Sequence, residues 1–279
     1  MTDNQSAVAR LASWAGCLAV MAEGVEPVLQ LQCRDRNRIA LQTDLLGAGA
    51  VGIPNVLLLT GDHQRHGDHP DAKAVFDLDS VQLLWTARTM RDGRLLSGRE
   101  LKVPPRWLIG AVENPFAPPQ AYRAERLGKK VAAGAQFVQT QLVYDLPTFG
   151  RWMAAVRDLG LDRRCRVLAG VGPIRSARAL EHMRRDVPGV YVPDDVVRRL
   201  RGVPEERSAA EGLALCAEVI EQVRAMPGVA GVHVMAVGWE EAVPEILERA
   251  GIGPAASADG PFAVGAGAPG APLPWERRR

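Results

Sequence analysis

Short apolar runs alternate with amphipathic stretches along most of this chain. The clearest run covers residues 55–60, Asn-Val-Leu-Leu-Leu-Thr, and turn-forming residues bound it on both sides. A continuous apolar run of this length is typical of a parallel strand that is buried on both faces. Five other predicted strands cover 27–33, 107–112, 137–143, 166–171 and 232–237, and a weaker one covers 190–192.

Helical patterns lie between the predicted strands. They cover 7–22, 39–49, 119–133, 148–159, a stretch beginning near 176, 206–225 and 240–250. Strands that alternate with helices predict an α/β fold with a parallel sheet. Glycine and polar residues gather at the strand ends, which favours a (β/α)8 TIM barrel with its site on that face. A closed barrel needs eight strands, so either part of the barrel is missing or the sheet is open.

The last part of the chain differs in composition from the rest. From residue 252 to residue 279 it consists mainly of Ala, Gly and Pro, and it ends in three arginines. Such a segment cannot bury enough apolar surface to fold. We therefore expect a barrel domain over 1–251, followed by a disordered tail over 252–279.

The charges of the chain nearly cancel, since 34 Lys and Arg against 32 Asp and Glu give a formal net charge of +2. No overall field therefore favours nucleic acid or a membrane surface as a partner. No apolar run reaches the roughly 20 residues that a membrane helix needs. The four cysteines are widely separated and form no CxxC pair, which argues against a disulfide framework or a zinc site. We expect a cytoplasmic protein with a small-molecule ligand.

Gly61 and Asp62 directly follow the clearest predicted strand. An aspartate just past a buried parallel strand stands where barrel enzymes place catalytic groups. The alternative is a turn aspartate that caps the next helix, which is the usual role of a lone Gly-Asp pair. His63, His66 and His69 lie close by, but their loop-like spacing does not favour a metal site, and we predict none.

Several ordered motifs of the chain resemble one enzyme family. They are Cys33-Arg34-Asp35-Arg36-Asn37-Arg38, Gly52-Ile53, Leu59-Thr60-Gly61-Asp62, Gly67-Asp68-His69-Pro70, Phe76-Asp77-Leu78-Asp79-Ser80, Gly134-Ala135, Gln139-Thr140-Gln141 and Gly170-Val171-Gly172-Pro173. In this order they resemble the methylenetetrahydrofolate reductases, over about residues 2–251. Several matched motifs in order are far more specific than any single one.

The resemblance implies a flavin-dependent oxidoreductase of one-carbon and methionine metabolism. Such an enzyme reduces 5,10-methylenetetrahydrofolate to 5-methyltetrahydrofolate with NADH or NADPH, and FAD lies over the carboxyl-terminal mouth of the barrel. Asp62 would lie by the flavin and the pterin, where its charge would stabilise a cationic folate iminium. We also expect a homo-oligomer.

The matched motifs assign further site residues by position. Lys130 would meet the FAD diphosphate, although it could equally be a solvated charge, with Lys129 in that role. Asp62 and Gln141 would contact the folate. The residues expected to contact FAD are Gln30, Thr60, Gly61, Asp62, Asn114 and Lys130.

The family's first strand, which ends in an acidic residue, has no counterpart in this sequence. Residues 2–6, Thr-Asp-Asn-Gln-Ser, resemble the end of the second strand. We therefore expect a (β/α)8 barrel that lacks its first strand-helix unit and most of its second strand, with two exposed sheet edges. Three accounts are open: a misplaced start codon, a segment supplied by another chain, or a catalytically impaired relative that acts as a folate- or flavin-binding partner subunit.

A different enzyme class could use the same fold, because fold alone does not fix chemistry. A phosphate-binding lyase or aldolase would need a Schiff-base lysine at a strand end or a glycine-rich phosphate site after the last strands. The last predicted strand ends in Ala236-Val237-Gly238 instead. This alternative therefore ranks below the reductase.

Overall fold

The structure is a computed structural model, and it describes residues 2–187 and 189–253. Six strands alternate with helices along these residues. The strands are β1 (Val28–Gln32), β2 (Asn55–Leu59), β3 (Leu108–Glu113), β4 (Phe137–Leu142), β5 (Arg166–Val171) and β6 (Val229–Val234). The helices are α1 (Ser13–Ala22), α2 (Arg38–Ala50), α3 (Ser80–Arg91), α4 (Arg123–Ala133), α5 (Leu146–Asp158), α6 (Ala177–Asp186), α7 (Asp194–Arg201), α8 (Glu205–Ala225) and α9 (Val243–Arg249).

The predicted parallel α/β fold is confirmed. The strand order in the sheet follows the order along the chain, β1 to β6. β1 pairs with β2 and β2 with β3 in parallel, and β4 pairs with β5 and β5 with β6 in parallel. All six clear apolar runs contain a strand, although β6 covers Val229–Val234 and not the predicted range 232–237. Among residues 2–187 and 189–253, no helix has the length and apolar character needed to cross a membrane.

Two predictions of strand structure are wrong. Residues 190–192 form no strand, because the amide of Val190 turns back to the carbonyl of Val187 in the short connection from α6 to α7. Residues 2–6 form no strand either. Asn4 and Ser6 adopt φ values of 41° and 57°, which lie outside the extended region, and a short 3-10 turn follows over Gln5–Ala7. Helix α1 begins only at Ser13 and not at residue 7 as predicted, since Ala12 before it has a non-helical ψ of 127°.

The predicted tail falls almost wholly outside the described residues. Only Ile252 and Gly253 of the range 252–279 are described, and the amide of Ile252 donates to the carbonyl of Leu247 at 2.8 Å, which closes helix α9. Residues 254–279 lie outside the described part of the chain.

Side-chain caps fix where several helices begin. Asn37 accepts from the amides of Ile39 and Ala40 at the start of α2. Asp79 and Gln82 form a capping box at the start of α3. Capping of this kind holds the strand-to-helix turns at the carboxyl ends of the strands, where barrel enzymes carry their sites.

The chain divides into two compact units. The described part of the first unit covers 2–111 and 129–136, and that of the second covers 112–128, 137–187 and 189–253. In the first unit, the aliphatic side chains of the strands pack against helices α2 and α3. The buried residues of this core include Leu29, Leu31, Val56, Leu58, Ile109, Leu41, Leu45, Leu83, Leu84 and Ala87.

Residues before β1 cover the outer edge of that strand. The Ser13 hydroxyl donates to the Gln30 carbonyl at 2.7 Å, and the Asp3 carboxylate accepts from the Gln32 amide at 3.0 Å. On the inner side, the amide of Cys33 reaches the carbonyl of Leu59 in β2. The backbone N–H and C=O groups of successive residues point to alternate sides of a strand. Those of Gln30 and Gln32 therefore point away from β2. Two side chains therefore occupy backbone groups that a further strand would pair.

In the second unit, helices α5 to α9 alternate with strands β4, β5 and β6 along the chain. Helix α8 approaches the loop after β5 closely at Gly212, where a side chain would collide with the carbonyl of Ile174. A side chain at Gly170 would likewise collide with the backbone of Thr140 and the side chain of Met235. The contact at Gly212 fixes the loop after β5, and the contact at Gly170 packs β5 closely against β4. Strand β6 differs from the other strands because its residues are half-buried or exposed.

Candidate functional site

The turn after β2 carries the principal candidate residue of the first unit, Asp62. Gly61 adopts a φ of 91°, and any side chain at this position would collide with the side-chain oxygen of Gln32. Thr60 Oγ1 accepts from the amide of Ser80 at 3.1 Å and so joins the turn to helix α3. The Asp62 side chain is exposed, and its carboxylate has no hydrogen-bond or ion-pair partner within the described part of the chain.

Arg34, two residues after the end of β1, contacts the backbone of this turn. Its Nη1 donates to the Asp62 carbonyl at 3.1 Å, and its Nη2 donates to the Asn4 carbonyl at 3.0 Å. A two-pronged pair with Asp35 completes the contacts, with Nε to Oδ1 at 2.7 Å and Nη2 to Oδ2 at 2.8 Å. The Arg34 side chain is only 3% exposed. Sequence reasoning noted Arg34 in a motif but gave it no role, because the contact joins residues 28 positions apart.

The charge of Asp35 is stabilised by this arrangement. Burial acts to raise the pKa of Asp35, but hydrogen bonds from Arg34 and Asn4 and the charges of Arg34 and Arg36 outweigh it, so the pKa lies below its ordinary value. The carboxylate therefore stays ionised at neutral pH and remains a partner for the Arg34 guanidinium.

Two further predicted residues of the first unit, Gln30 and Lys130, are partly or fully buried. Gln30 is half-buried on β1. Lys130 is 1% exposed and already takes part in an interaction within the protein. The alternative that Lys130 is a solvated charge is therefore wrong, whereas Lys129 is exposed. The sequence did not reveal this burial because Lys130 follows another lysine in a polar stretch of α4.

In the second unit, the structure brings Asn114 and Gln141 together around Gly189. Asn114 Nδ2 donates to the Gly189 carbonyl at 2.9 Å, and Asn114 Oδ1 accepts from the Phe116 amide at 3.0 Å. A Cβ atom at Gly189 would lie 3.6 Å from Gln141 Nε2. The two side chains come from the ends of β3 and β4, where parallel strands present ligand-binding groups. The segment before α7 was not predicted as a neighbour of either residue.

A buried carboxylate that sequence reasoning missed lies at the end of β3. The Glu113 side chain is fully buried and pairs with Arg126 at 3.0 Å and with Arg123 at 3.8 Å. Both arginines come from α4, one helical turn apart, so their spacing was visible in the sequence. The acid that they contact was not, because Glu113 could equally have been an exposed loop residue.

A cavity of about 480 Å³ opens between the start of α5 and helices α7 and α8. No predicted site residue lines it. Arg199 on its wall is held by Glu211 and Glu218, each at 2.6 Å. Its lining includes Tyr144, Asp145, Asp195, Arg199 and Glu218. In the described residues, no group of three or more His, Cys, Asp or Glu side chains is arranged to hold a metal ion.

The chain resembles known proteins in sequence. A family model described as methylenetetrahydrofolate reductase matches residues 1–251. A probable methylenetetrahydrofolate reductase (NADPH) of Caenorhabditis elegans is 24% identical over 237 residues, which cover 82% of this chain and 33% of the relative. A probable methylenetetrahydrofolate reductase (NADH) of Oryza sativa is 26% identical over 236 residues, covering 82% of this chain and 38% of the relative. The chain thus spans about a third of the length of these relatives.

The fold also has a solved counterpart. An uncharacterized protein from Clostridium thermocellum, described as binding two copies of 5-methyl-5,6,7,8-tetrahydrofolic acid, superposes with a TM-score of 0.54. The match covers 83% of this chain and 76% of that one at 12% sequence identity, so it supports the fold alone. Because the family model spans nearly all of the described residues, the predicted family is confirmed: the chain belongs to the methylenetetrahydrofolate reductase family.

Proposed function

We propose that this chain reduces 5,10-methylenetetrahydrofolate to 5-methyltetrahydrofolate. NADH or NADPH supplies a hydride to the one-carbon unit, a proton is consumed, and the oxidised nucleotide is released. The observation that carries the proposal is the exposed Asp62 carboxylate on the fixed turn after β2. The names of the relatives from Caenorhabditis elegans and Oryza sativa support the reaction.

In this proposal, Asp62 acts through the negative charge of its carboxylate. The folate substrate becomes a cationic iminium before it accepts hydride, and a fixed carboxylate stabilises such a cation without reorganisation. The Asp62 carboxylate has no competing partner in the described part of the chain, so its charge is available to a ligand. In a cleft from which the ligand excludes water, this interaction is stronger than in bulk solvent.

Gln141 binds the folate in this proposal, and Asn114 holds Gly189 beside it. An amide side chain can donate to and accept from the polar edge of a pterin. Gln141 Oε1 accepts from the Leu142 amide at 2.9 Å, which leaves its Nε2 to face the space near Gly189. The description of the Clostridium thermocellum protein as a binder of 5-methyltetrahydrofolic acid supports a folate ligand for this fold.

The fit to FAD is poor for several residues that the resemblance assigns to it. Thr60 Oγ1 already accepts from Ser80, the Asn114 amide is held by Gly189 and Phe116, and Lys130 is buried and engaged. In this arrangement these side chains do not fit the ribityl and diphosphate part of FAD. We therefore assign no step of the reaction to a flavin, and the flavin-dependent route that the resemblance implies is tested directly below.

The first experiment uses the purified 279-residue protein. Its absorption spectrum is recorded before and during titration with FAD, and the oxidation of NADH and of NADPH is followed with and without methylenetetrahydrofolate. Folate-dependent oxidation of either nucleotide supports the proposed reaction. Flavin bands that the nucleotide bleaches support the flavin-dependent route, and turnover without flavin excludes it. Binding of folate without turnover supports a partner subunit, and absence of both binding and turnover contradicts the proposal.

The role of Asp62 has its own test. Asp62→Asn keeps the size of the side chain but removes its charge, so we expect kcat/KM for the folate to fall about 100-fold, the usual scale for one electrostatic group. Asp68→Asn is the matched control because Asp68 is an exposed aspartate in the same loop. Equal activity of the two variants would contradict a role for Asp62.

We also propose a cytoplasmic location and a homo-oligomer. The four cysteines are free and buried, which suits a reducing compartment. Size-exclusion chromatography with light scattering measures the number of chains in the assembly.

A further inference from the structure

We infer that Arg34 is a positioning residue that holds the Thr60-Gly61-Asp62 turn, so that the Asp62 carboxylate stands where the proposed reaction needs it. The inference rests on the proposed function of Asp62. It concerns a residue that touches neither ligand in the proposal, because its guanidinium is buried beneath the turn.

The contacts of Arg34 fix both its own geometry and that of the turn. The two-pronged pair with Asp35 sets the plane of the guanidinium. The remaining donors then reach two backbone carbonyls, those of Asn4 and Asp62. Asp35 in turn accepts from Asn4 Nδ2 at 3.2 Å and from Gln32 Nε2 at 3.3 Å. The Asp62 carbonyl is therefore tied to a network that extends to the beginning of the described chain.

The turn needs such an anchor because glycine is its central residue. Gly61 has a φ of 91° and little intrinsic preference for one conformation. Thr60 fixes the start of the turn through Ser80, and Arg34 fixes its end through the Asp62 carbonyl. With the carbonyl held, the direction of the Asp62 Cα–Cβ bond is held as well. A displacement of about 1 Å at such a site can lower a rate about 100-fold.

Lysine cannot replace Arg34 in this role. It keeps the charge that pairs with Asp35, but it has one nitrogen in place of the planar fork and cannot reach both carbonyls and the carboxylate in the same geometry. Arg34→Lys therefore removes the contact that positions the turn but keeps the buried positive charge. It avoids leaving the Asp35 carboxylate without a cationic partner.

Arg36 provides a matched control two residues away. It makes a two-pronged pair with Asp3, at 2.7 and 3.0 Å, and a contact with Asp44 at 2.9 Å. Its ion pairs are with Asp3 and Asp44, not with the turn at 60–62. Arg36→Lys thus reports the general effect of weakening an arginine-carboxylate pair in the same part of the unit.

The test is a double-mutant cycle with the full chain. The kcat for folate reduction is measured for Arg34→Lys and Arg36→Lys, each with Asp62 present and with Asp62→Asn. We expect Arg34→Lys to lower kcat about 10- to 100-fold when Asp62 is present and less than about twofold in the Asp62→Asn background, because Arg34 acts through Asp62. Arg36→Lys should change kcat less than about twofold in both backgrounds.

Hydrogen exchange supplies a readout that does not depend on activity. Arg34→Lys should accelerate amide exchange at Cys33 and Ser80, whose amides donate to the carbonyl and to Oγ1 of Thr60 in this turn, whereas Arg36→Lys should leave it unchanged. The same loss of kcat with and without Asp62, or unchanged exchange in Arg34→Lys, would overturn the inference. Wild-type turnover of Asp62→Asn would overturn the proposed role of Asp62 instead, and the exchange data would still decide whether Arg34 holds the turn.

Discussion

Asn114 Nδ2 donates a hydrogen bond to the Gly189 carbonyl at 2.9 Å, and so joins the end of β3 to the segment that precedes α7. The two residues lie 75 positions apart in the sequence. Because Gln141 approaches the same glycine, the contact also sets the space beside the Gln141 amide, which we assign to the folate.

Replacing Gly189 should weaken folate binding. Its φ is 79°, and a Cβ atom there would lie 2.6 Å from Asn114 Nδ2, so Gly189→Ala should displace the Asn114 amide. We expect the Kd for 5-methyltetrahydrofolate to rise about threefold to tenfold, the scale of one lost hydrogen bond. Gly251→Ala is the control, because Gly251 also has a positive φ but no atom near its Cβ position. Titration calorimetry measures both, and equal affinities would refute the assignment of the space beside Gln141 to the folate.

The Gly61 turn should be sensitive to substitution for steric reasons. Gly61→Ala places a methyl group against Gln32, whereas Gly52→Ala, at a φ of 80°, meets no atom within 4 Å. Adoption of a left-handed conformation by alanine alone costs about 1–2 kcal/mol. We expect Gly52→Ala to lose stability on that scale and Gly61→Ala to lose more, as measured by denaturant unfolding. A similar loss of stability in the two variants would mean that the Gln32 side chain moves away from the new methyl group.

The four cysteines should resist alkylation in the native protein. Burial raises the pKa of Cys33 to about 12, with a contribution from Asp79, and it raises the pKa of Cys165 and Cys216 to about 12 as well. Burial also raises the pKa of Cys17. The reactive thiolate is therefore scarce at pH 8. Mass spectrometry after iodoacetamide treatment should find no labelled cysteine in the folded protein and four in guanidinium chloride.

The ion pair of Arg34 and Asp35 should give stability that depends on pH. The pKa of Asp35 is lowered in the folded state, so its contribution is fully present above the ordinary aspartate value of about 3.9 and is lost as the pH falls through the lowered value. Asp35→Asn should therefore be less stable than the wild type at neutral pH, and the difference should shrink in acid. Urea unfolding between neutral pH and about pH 3 tests this. A difference that stays constant would mean that Asp35 does not titrate with folding.

Much of the fold could be predicted from the sequence, because burial on both faces leaves a plain signal in a parallel strand. The run at Asn55–Leu59 is one example, and Asp62 after it was predicted from its place at the strand end. Contacts between distant segments left no such signal. The contact of Arg34 with the Asp62 carbonyl and the burial of Lys130 depend on packing that periodicity does not encode. The wrong strand at residues 2–6 followed from the resemblance to the end of the family's second strand, which does not report the positive φ of Asn4 and Ser6.

The side chains on the outer edge of β1 also bear on how chains associate. An exposed edge strand invites a strand of a second molecule, and this is a common route to aggregation. At β1 an incoming strand would first have to displace the Ser13 hydroxyl from Gln30 and the Asp3 carboxylate from Gln32, and Asp3 is also paired with Arg36. This edge of β1 is therefore closed to strand addition, so copies of the chain that assemble have to meet at another part of the surface.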